Sequence, residues 1–307
     1  MDEEHVYVIL DFIEKELTQN KVKVLQVNWF GGEPTLCENI IEEFNRKLIT
    51  ICEKNNISFV SGMTTNGYLL TRKKFEKYLD LGIDNYQITI DGWKHDELRK
   101  HKSGIKTLSS ILSNLKEISK IPKEKNFFIR LRYNITPETE DISWYDYVYK
   151  LFGTDQRFSI YIHSVQDWGG DSVKKMNLCS QEIMSEIEKK HLDYIKKVGL
   201  SCANIYENTN ALFDKVCIAS YPYSYVFMPN GSIVRCTVEL ENDVNIIGRV
   251  DKELGVEIYK DKKEMWIQKD IPKNCFDCEK LKVCMHMTCP KQYVIDKRDR
   301  NKCDFEE

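Results

Sequence analysis

Cys275, Cys278, Cys284 and Cys289, separated by two, five and four residues, put four thiols within fifteen positions, and Cys303 follows. Upstream, Cys217 and Cys236 bracket a turn at Gly231, with thirteen residues from Cys217 to that glycine and four from it to Cys236. No other feature limits the possible folds of this chain so strongly. The surrounding segment is polar and loop-rich, with too little apolar surface to order itself, so bound metal is the expected staple. Dense thiolates suit zinc or iron–sulfur clusters, because both take soft, deprotonated sulfur. A zinc ribbon takes four ligands, whereas these seven cysteines exceed one zinc site and nearly fill two four-iron clusters. Ligand count alone leaves both metals open. The other four of the 11 cysteines, Cys37, Cys52, Cys179 and Cys202, are scattered, which divides the chain into regions 1–200 and 201–307.

The first region reads as alternating helix and strand. Val6, Ile9, Phe12, Ile13 and Leu17 recur at helical spacing, predicting a helix over 4–18. Apolar and β-branched runs predict strands over 24–30, 57–65, 85–90, 127–135 and 158–163. Amphipathic segments 39–53, 72–79, 104–118 and 145–151 predict the helices between them, with a further helix over 181–198. Such alternation implies parallel βαβ units with functional loops at the carboxyl ends of the strands. In the second region, 223–228, Pro229-Asn230-Gly231 and 232–236 read as a β-hairpin around a tight turn.

Net charge is −3, with Lys and Arg spread along the chain, so no basic footprint for nucleic acid and no membrane-surface helix is expected. The start, Met1-Asp2-Glu3-Glu4-His5, lacks the basic and apolar regions of a signal peptide, and no apolar run reaches membrane-spanning length. A cytoplasmic location is expected.

The cysteine pattern resembles the SPASM domain of radical S-adenosylmethionine (SAM) maturases, departing from it by one extra residue between Cys284 and Cys289. The resemblance implies two auxiliary [4Fe–4S] clusters, one on Cys275, Cys278, Cys284 and Cys303, the other on Cys217, Cys236 and Cys289. Cys202 is a candidate fourth ligand for the second, whose remaining position is otherwise open to substrate or solvent. The first region carries matching motifs. Gly31-Gly32-Glu33-Pro34, a bland turn in isolation, resembles the family's GGEP, where backbone carbonyls and the Glu carboxylate hold the ammonium of SAM. Thr65-Asn66-Gly67 resembles the next strand end, where Asn66 reaches the ribose or carboxylate. Thr89-Ile90-Asp91-Gly92 with His95, Asp96 and Arg99 resembles a third motif, and Arg132-Tyr133-Asn134 a fourth. Trp168-Gly169-Gly170 sits where related peptide maturases carry a similar turn. By the resemblance Gly31, Gly32, Glu33, Pro34, Asn66, Thr89, Arg132 and Asn134 bind the cofactor. The implied fold is α/β: a partial (β/α)6 TIM-like barrel without its first strand over 1–200, and a small cysteine-rich SPASM domain with a β-hairpin over 201–307.

The C-x3-C-x2-C triad that binds the SAM-cleaving cluster in this family does not occur in the sequence. Weak or absent SAM binding and no radical formation by this chain alone are therefore expected. Truncation of a longer product and natural degeneration both account for the gap. An apolar strand over 24–30 left at an open edge is an aggregation liability, which favours truncation.

The resemblance further implies a peptide or protein substrate, modified by cross-linking or epimerisation, and an electron donor such as ferredoxin or flavodoxin. Anaerobic sulfatase maturation is an alternative, weakened because Thr237 stands where those enzymes carry Asp. A non-catalytic iron–sulfur or zinc protein that binds peptide is another. Elsewhere, His163 reads as a satisfied core histidine, His191 as a surface residue, and His286 as a ligand the cysteines make unnecessary. Cys37, Cys52 and Cys179 read as small buried hydrophobes. Met285 and Met287 read as loop fillers, and Trp266 as packing between the hairpin and the cysteine-rich tail.

Overall fold

The structure, a computed structural model, describes residues 3–136, 139, 141–165, 181–202, 217–267, 275–278, 289–299 and 303. Cys179, Cys284, His286, Met285, Met287 and Trp168-Gly169-Gly170 lie outside the described residues. The contacts divide the chain into two units, Lys23–Glu207 and a discontinuous one made of Met1–Val22 and Asn208–Glu307.

The first unit is a parallel sheet with crossover helices. Its strands are β1 (Val24–Trp29), β2 (Ser58–Thr65), β3 (Ile83–Thr89), β4 (Phe128–Ile135) and β5 (Phe158–Ser164), hydrogen-bonded in that order with β1 at one edge. The helices α2 (Glu38–Lys54), α3 (Arg72–Asp80), α5 (Leu108–Ser119), α6 (Ser143–Phe152) and α7 (Gln181–Val198) alternate with them, and α4 (His95–Leu98) is a single turn after β3. The alternation predicted from sequence is thus an α/β sheet consistent with part of a radical SAM-type barrel. Past α7 the chain returns to the far edge, where Cys202 bridges Ile160 in parallel and Ser201 accepts from the Ile160 amide at 2.8 Å.

Side chains alternate across this sheet by strand periodicity. One face of β4 presents Ile129, Leu131, Tyr133 and Ile135, all buried with Phe75, Tyr86, Ile111, Leu115, Trp144 and Phe158 in one apolar core. Phe152 stacks on Phe158 with centroids 4.5 Å apart, fastening α6 to β5. Asn45 of α2, fully buried, accepts from Trp29 Nε1 at 3.0 Å and donates to the Leu81 carbonyl at 3.0 Å, tying the end of β1 to the turn after α3.

His191 is also fully buried, 2.7 Å from the Tyr145 hydroxyl, which corrects its reading as a surface residue. Its polar flanks, Lys189-Lys190 and Asp193, conceal that its own position falls on the stripe of α7 that carries buried Ile195. Burial pushes its imidazole down to about 4. Cys52 is buried as expected, and Cys37 is exposed, contrary to expectation, at the end of the turn Pro34–Cys37.

The second unit is an antiparallel sheet closed by helices. β6 (Val226–Phe227) and β7 (Ser232–Val234) pair around the Met228–Gly231 turn, and β8 (Ile246–Asp251) and β9 (Gly255–Ile258) extend them into a four-stranded meander. The sequence pattern, dominated by cysteine and polar residues, hides β8 and β9. Trp266, at the end of α8 (Lys260–Trp266), is fully buried, in line with its expected packing role. α1 (Glu3–Gln19) contacts β8 and β9. Its Phe12 ring meets Tyr225 edge-on at 5.2 Å, and Glu16 accepts from the Tyr225 hydroxyl at 2.9 Å. A cut at residue 200 would assign α1 to the first region; its buried Val6, Ile9, Leu10 and Leu17 instead give it the apolar stripe that covers an antiparallel sheet.

Candidate functional site

The face of the parallel sheet opposite its apolar core is polar. Thr64, Gln87, Thr89, Arg130, Arg132, Asn134, Tyr161 and His163 fall on it, in laterally paired rows such as Thr89–Arg132–Tyr161 and Asn134–His163. Parallel sheets ordinarily bury apolar residues on both faces. A polar face on such a sheet is a candidate lining for a site.

The carboxyl ends of the strands are knitted by hydrogen bonds. Glu33 accepts at Oε1 from the Thr35 hydroxyl (2.6 Å), the Thr35 amide (3.1 Å) and the Thr65 hydroxyl (2.6 Å), and at Oε2 from the Asn66 amide (2.8 Å). The carboxylate therefore latches the end of β1 to the end of β2. Gly31 adopts φ +140°, in the region glycine favours, and a Cβ built on Gly31 or Gly32 would meet no atom within 4 Å, so this backbone faces open space. Pro34 is buried and starts the short turn that Glu33 caps. Asn66 Oδ1 accepts from the Tyr68 amide at 2.8 Å, an Asx turn, while Asn114 of α5 holds the Gly67 and Tyr68 carbonyls at 3.0 and 2.9 Å.

Asp91 is the second node. Only 4% exposed, it accepts from Arg99 Nε at 2.6 Å and, at its other oxygen, from the Asn134 amide (3.2 Å) and side chain (3.0 Å). Asn134 in turn accepts from Arg132 Nε at 2.9 Å. His95 Nδ1 accepts from the Asp91 amide at 3.3 Å, which assigns the proton to Nε2, facing the Thr107 hydroxyl at 3.3 Å. Burial lowers the His95 pKa, favouring the neutral ring. Asp96 caps α5 through the Thr107 and Leu108 amides at 2.7 and 3.0 Å. Among the described residues, the Thr89 hydroxyl, Asn66 Nδ2 and the terminal Arg132 nitrogens have no hydrogen-bond partner. His163 is satisfied through Nδ1, which donates to the Ser164 carbonyl at 2.7 Å.

In the second unit, the Cys236 loop is clamped by Asn245, a fully buried residue that no sequence signal marked. Its Oδ1 accepts from the Arg235 and Cys236 amides at 3.0 and 2.8 Å, and its Nδ2 donates to the Cys236 and Glu239 carbonyls, both at 2.8 Å. Burial raises both thiol pKa values, outweighing the backbone N–H groups of Val238 and Glu239 near Cys236 and of Ala219 near Cys217, which lower them. Cys275, Cys278 and Cys303 lie in the same unit, and Cys202 in the other. Among the described residues no three His, Cys, Asp or Glu form a group able to hold a metal ion.

Residues 2–142 match the family model of the Radical SAM superfamily. A search of curated proteins returns no match. Among solved structures, anSMEcpe with bound AdoMet and Cp18Cys peptide superposes with TM-score 0.66 at 17% identity, covering 97% of this chain and 84% of that one. Streptococcus suis SuiB bound to precursor peptide SuiA gives TM-score 0.53 at 13% identity, covering 91% of this chain and 64% of SuiB. At such identities the structural likeness shows a shared fold. Residues 2–142 thus match the Radical SAM superfamily model, and the chain shares its fold with anSMEcpe and SuiB.

Proposed function

We propose that this chain is a SPASM-type maturase acting on a peptide or protein, with residues 201–307 as an iron–sulfur module. Radical SAM superfamily members are enzymes, and the family implies an iron–sulfur cluster and SAM. One observation carries the finer reading: buried Cys236 sits in a loop clamped at four points by Asn245, in the same unit as half-buried Cys217 and Cys289. A four-iron cluster is several ångströms across, so its ligands stand farther apart than those around one ion. Cys217, Cys236 and Cys289 would hold one auxiliary cluster, and Cys275, Cys278, Cys284 and Cys303 the other.

The open backbone at Gly31 and Gly32 and the unpaired donors of Thr89, Asn66 and Arg132 fit SAM, whose methionine end offers an ammonium and a carboxylate. Once reduced by an iron–sulfur cluster, SAM supplies a carbon-centred radical that removes a hydrogen atom from substrate. The glycine carbonyls would accept from the ammonium, and Arg132 would face a carboxylate or hydroxyls. Glu33 and Asn134 would act on the cofactor indirectly, since Thr35, Thr65 and Asn66 occupy the first and Asp91 and Arg132 the second. A ferredoxin- or flavodoxin-type donor would supply electrons. The peptides bound to anSMEcpe and SuiB agree with a peptide substrate.

A second reading, a non-catalytic iron–sulfur or zinc protein that binds peptide, draws on the lack of any C-x3-C-x2-C among the 307 residues. Sulfatase maturation is less favoured, because an exposed Thr237 follows Cys236. Iron, sulfide and zinc are measured after anaerobic purification of the chain. Roughly eight irons with matching sulfide are expected for two four-iron clusters. Zinc without sulfide overturns the iron–sulfur assignment.

A further inference from the structure

Arg235, the residue before Cys236, is fully buried. Its terminal nitrogens donate to the carbonyls of Ser224 and of Tyr221, the latter at 2.6 Å, while its Nε has no partner among the described residues. Both carbonyls belong to the segment that begins at Cys217, so one guanidinium cross-links the two cysteine loops. Asn245 fixes the Arg235 amide at 3.0 Å. Among the described residues no carboxylate lies within ion-pair distance of Arg235; Glu264 influences it from the exposed face of α8.

A guanidinium does not shed its proton at physiological pH, and a buried cation without a counter-anion is strongly unfavourable. Carbonyl oxygens supply dipoles and leave the net charge in place. The charge directly precedes Cys236 in the chain and is held by carbonyls of the loop that follows Cys217. Thiolates around a four-iron cluster give an assembly of net negative charge, and net charge is one of the levers on its reduction potential.

We propose that Arg235 is the built-in counter-charge of the cluster held by Cys217, Cys236 and Cys289, setting its reduction potential higher than the thiolates alone would. The inference rests on the iron–sulfur reading above. Adding one electron makes the cluster more negative, so a fixed positive charge beside it favours the reduced form. The role is positional and electrostatic, since Arg235 bonds no reacting atom.

The test uses the full chain, cluster-reconstituted, as wild type, Arg235→Met and Arg235→Lys. Each is titrated anaerobically with dithionite and followed by electron paramagnetic resonance, with iron and sulfide counted beforehand. At the wild-type midpoint, Arg235→Met is expected to lower the ratio of reduced to oxidised cluster about tenfold at one of the two clusters. For a one-electron couple that equals a shift of about 59 mV to more negative potential. Arg235→Lys keeps the charge and is expected to stay within twofold of wild type. Cluster loading is also expected to raise the melting temperature of wild type more than that of Arg235→Met, a difference that simple core packing would not produce. An Arg235→Met chain that loads both clusters and titrates like wild type overturns the counter-charge role while the cluster reading stands. Wild type that binds neither iron nor sulfide overturns both. Should Arg235→Met fail to fold, Arg235→Lys decides: a retained potential supports the role, and a tenfold fall despite the conserved charge overturns it.

Discussion

Glu33→Ala separates a carboxylate that latches two strand ends from one that binds a cofactor. Glu33 accepts four hydrogen bonds, at 2.6, 2.6, 2.8 and 3.1 Å. Two come from the hydroxyls of Thr35 and Thr65, which are 2% and 4% exposed, and one from the amide of exposed Asn66, which water can satisfy. Hydrogen bonds to a charged group contribute about 1.5–3 kcal/mol each, so the two buried hydroxyls set a loss of about 3–6 kcal/mol, nearer 3 where the hydroxyls turn to other acceptors. Thr65→Val removes one of these donors and the acceptor of the Gly67 amide at 3.1 Å, for about 2 kcal/mol. The two changes share an interaction, so the double mutant is expected to be less destabilised than the sum by about 1–2 kcal/mol. Urea unfolding followed by circular dichroism gives the cycle, and hydrogen exchange at the Asn66 and Thr35 amides reports the local opening. A coupling below about 0.4 kcal/mol, within the additivity margin of independent sites, refutes the latch. If Glu33→Ala unfolds like wild type and only weakens SAM binding, the carboxylate belongs to the cofactor instead.

The remaining expectations concern both units. Asn245→Ala strands two buried donors and two acceptors around Cys236, so a loss of about 3 kcal/mol and weaker cluster retention are expected, read by urea unfolding and iron content. Cys217→Ser and Cys236→Ser are each expected to remove about four irons and leave the other four, by iron and sulfide assay. His191 has its pKa pushed down to about 4, below the ordinary 6.5, so the unfolded chain binds the proton that the folded chain refuses. Its contribution is intact above pH 6.5 and falls by about 3 kcal/mol as pH drops through that range toward 4; His191→Phe is expected to flatten this slope in denaturation measured across pH. Gly67→Ala forces a side chain onto φ +74° and a Cβ within 2.9 Å of Ile88, so a loss of about 1–3 kcal/mol is expected, with slower recovery of the Asn66 turn in exchange experiments.

The alternating strands and helices were legible because β2 to β5 bury apolar residues in one core, against which β1 packs only Trp29, and periodicity records such burial directly. The strand-end motifs were legible as positions; their partners were not. Glu33 and Asn134 stand where cofactor contacts are expected, yet both carry hydrogen bonds between strands, a role that depends on which loop ends the register brings together. Asp91 shows the same limit, since its burial follows from Arg99 and Asn134, 8 and 43 residues away. Cysteine spacing located the thiols but hid Asn245, because an asparagine in a loop carries no pattern. His191 misled because polar neighbours on a helix say nothing about which stripe one position occupies. The strands β8 and β9 were missed because short, half-buried strands of a small sheet lack a long apolar run.

The place of α1 bears on how the cysteine-bearing unit holds together. A stretch of about 100 residues with short strands and a polar, cysteine-rich tail has a thin core, the situation in which small domains borrow metal or additional elements. Here α1 supplies buried Val6, Ile9, Leu10 and Leu17 to the same unit as Val226, Ile233, Ile247 and Val250. It also brings Glu16 to the Tyr225 hydroxyl, which in turn accepts from Lys263 at 2.9 Å, and Glu4 to Lys252 at 2.6 Å. The helix therefore covers the antiparallel sheet that holds β7, from whose end Arg235 and Cys236 project. Burial of these apolar side chains, at about 1.5–3 kcal/mol each, exceeds what the exposed ion pair can contribute. The sheet keeps the Cys236 loop in place through Asn245, and α1 keeps the sheet dry. On the iron–sulfur reading proposed above, the buried Cys236 thiol would then be in place before metal arrives, and the energy of cluster binding would not need to order the whole unit.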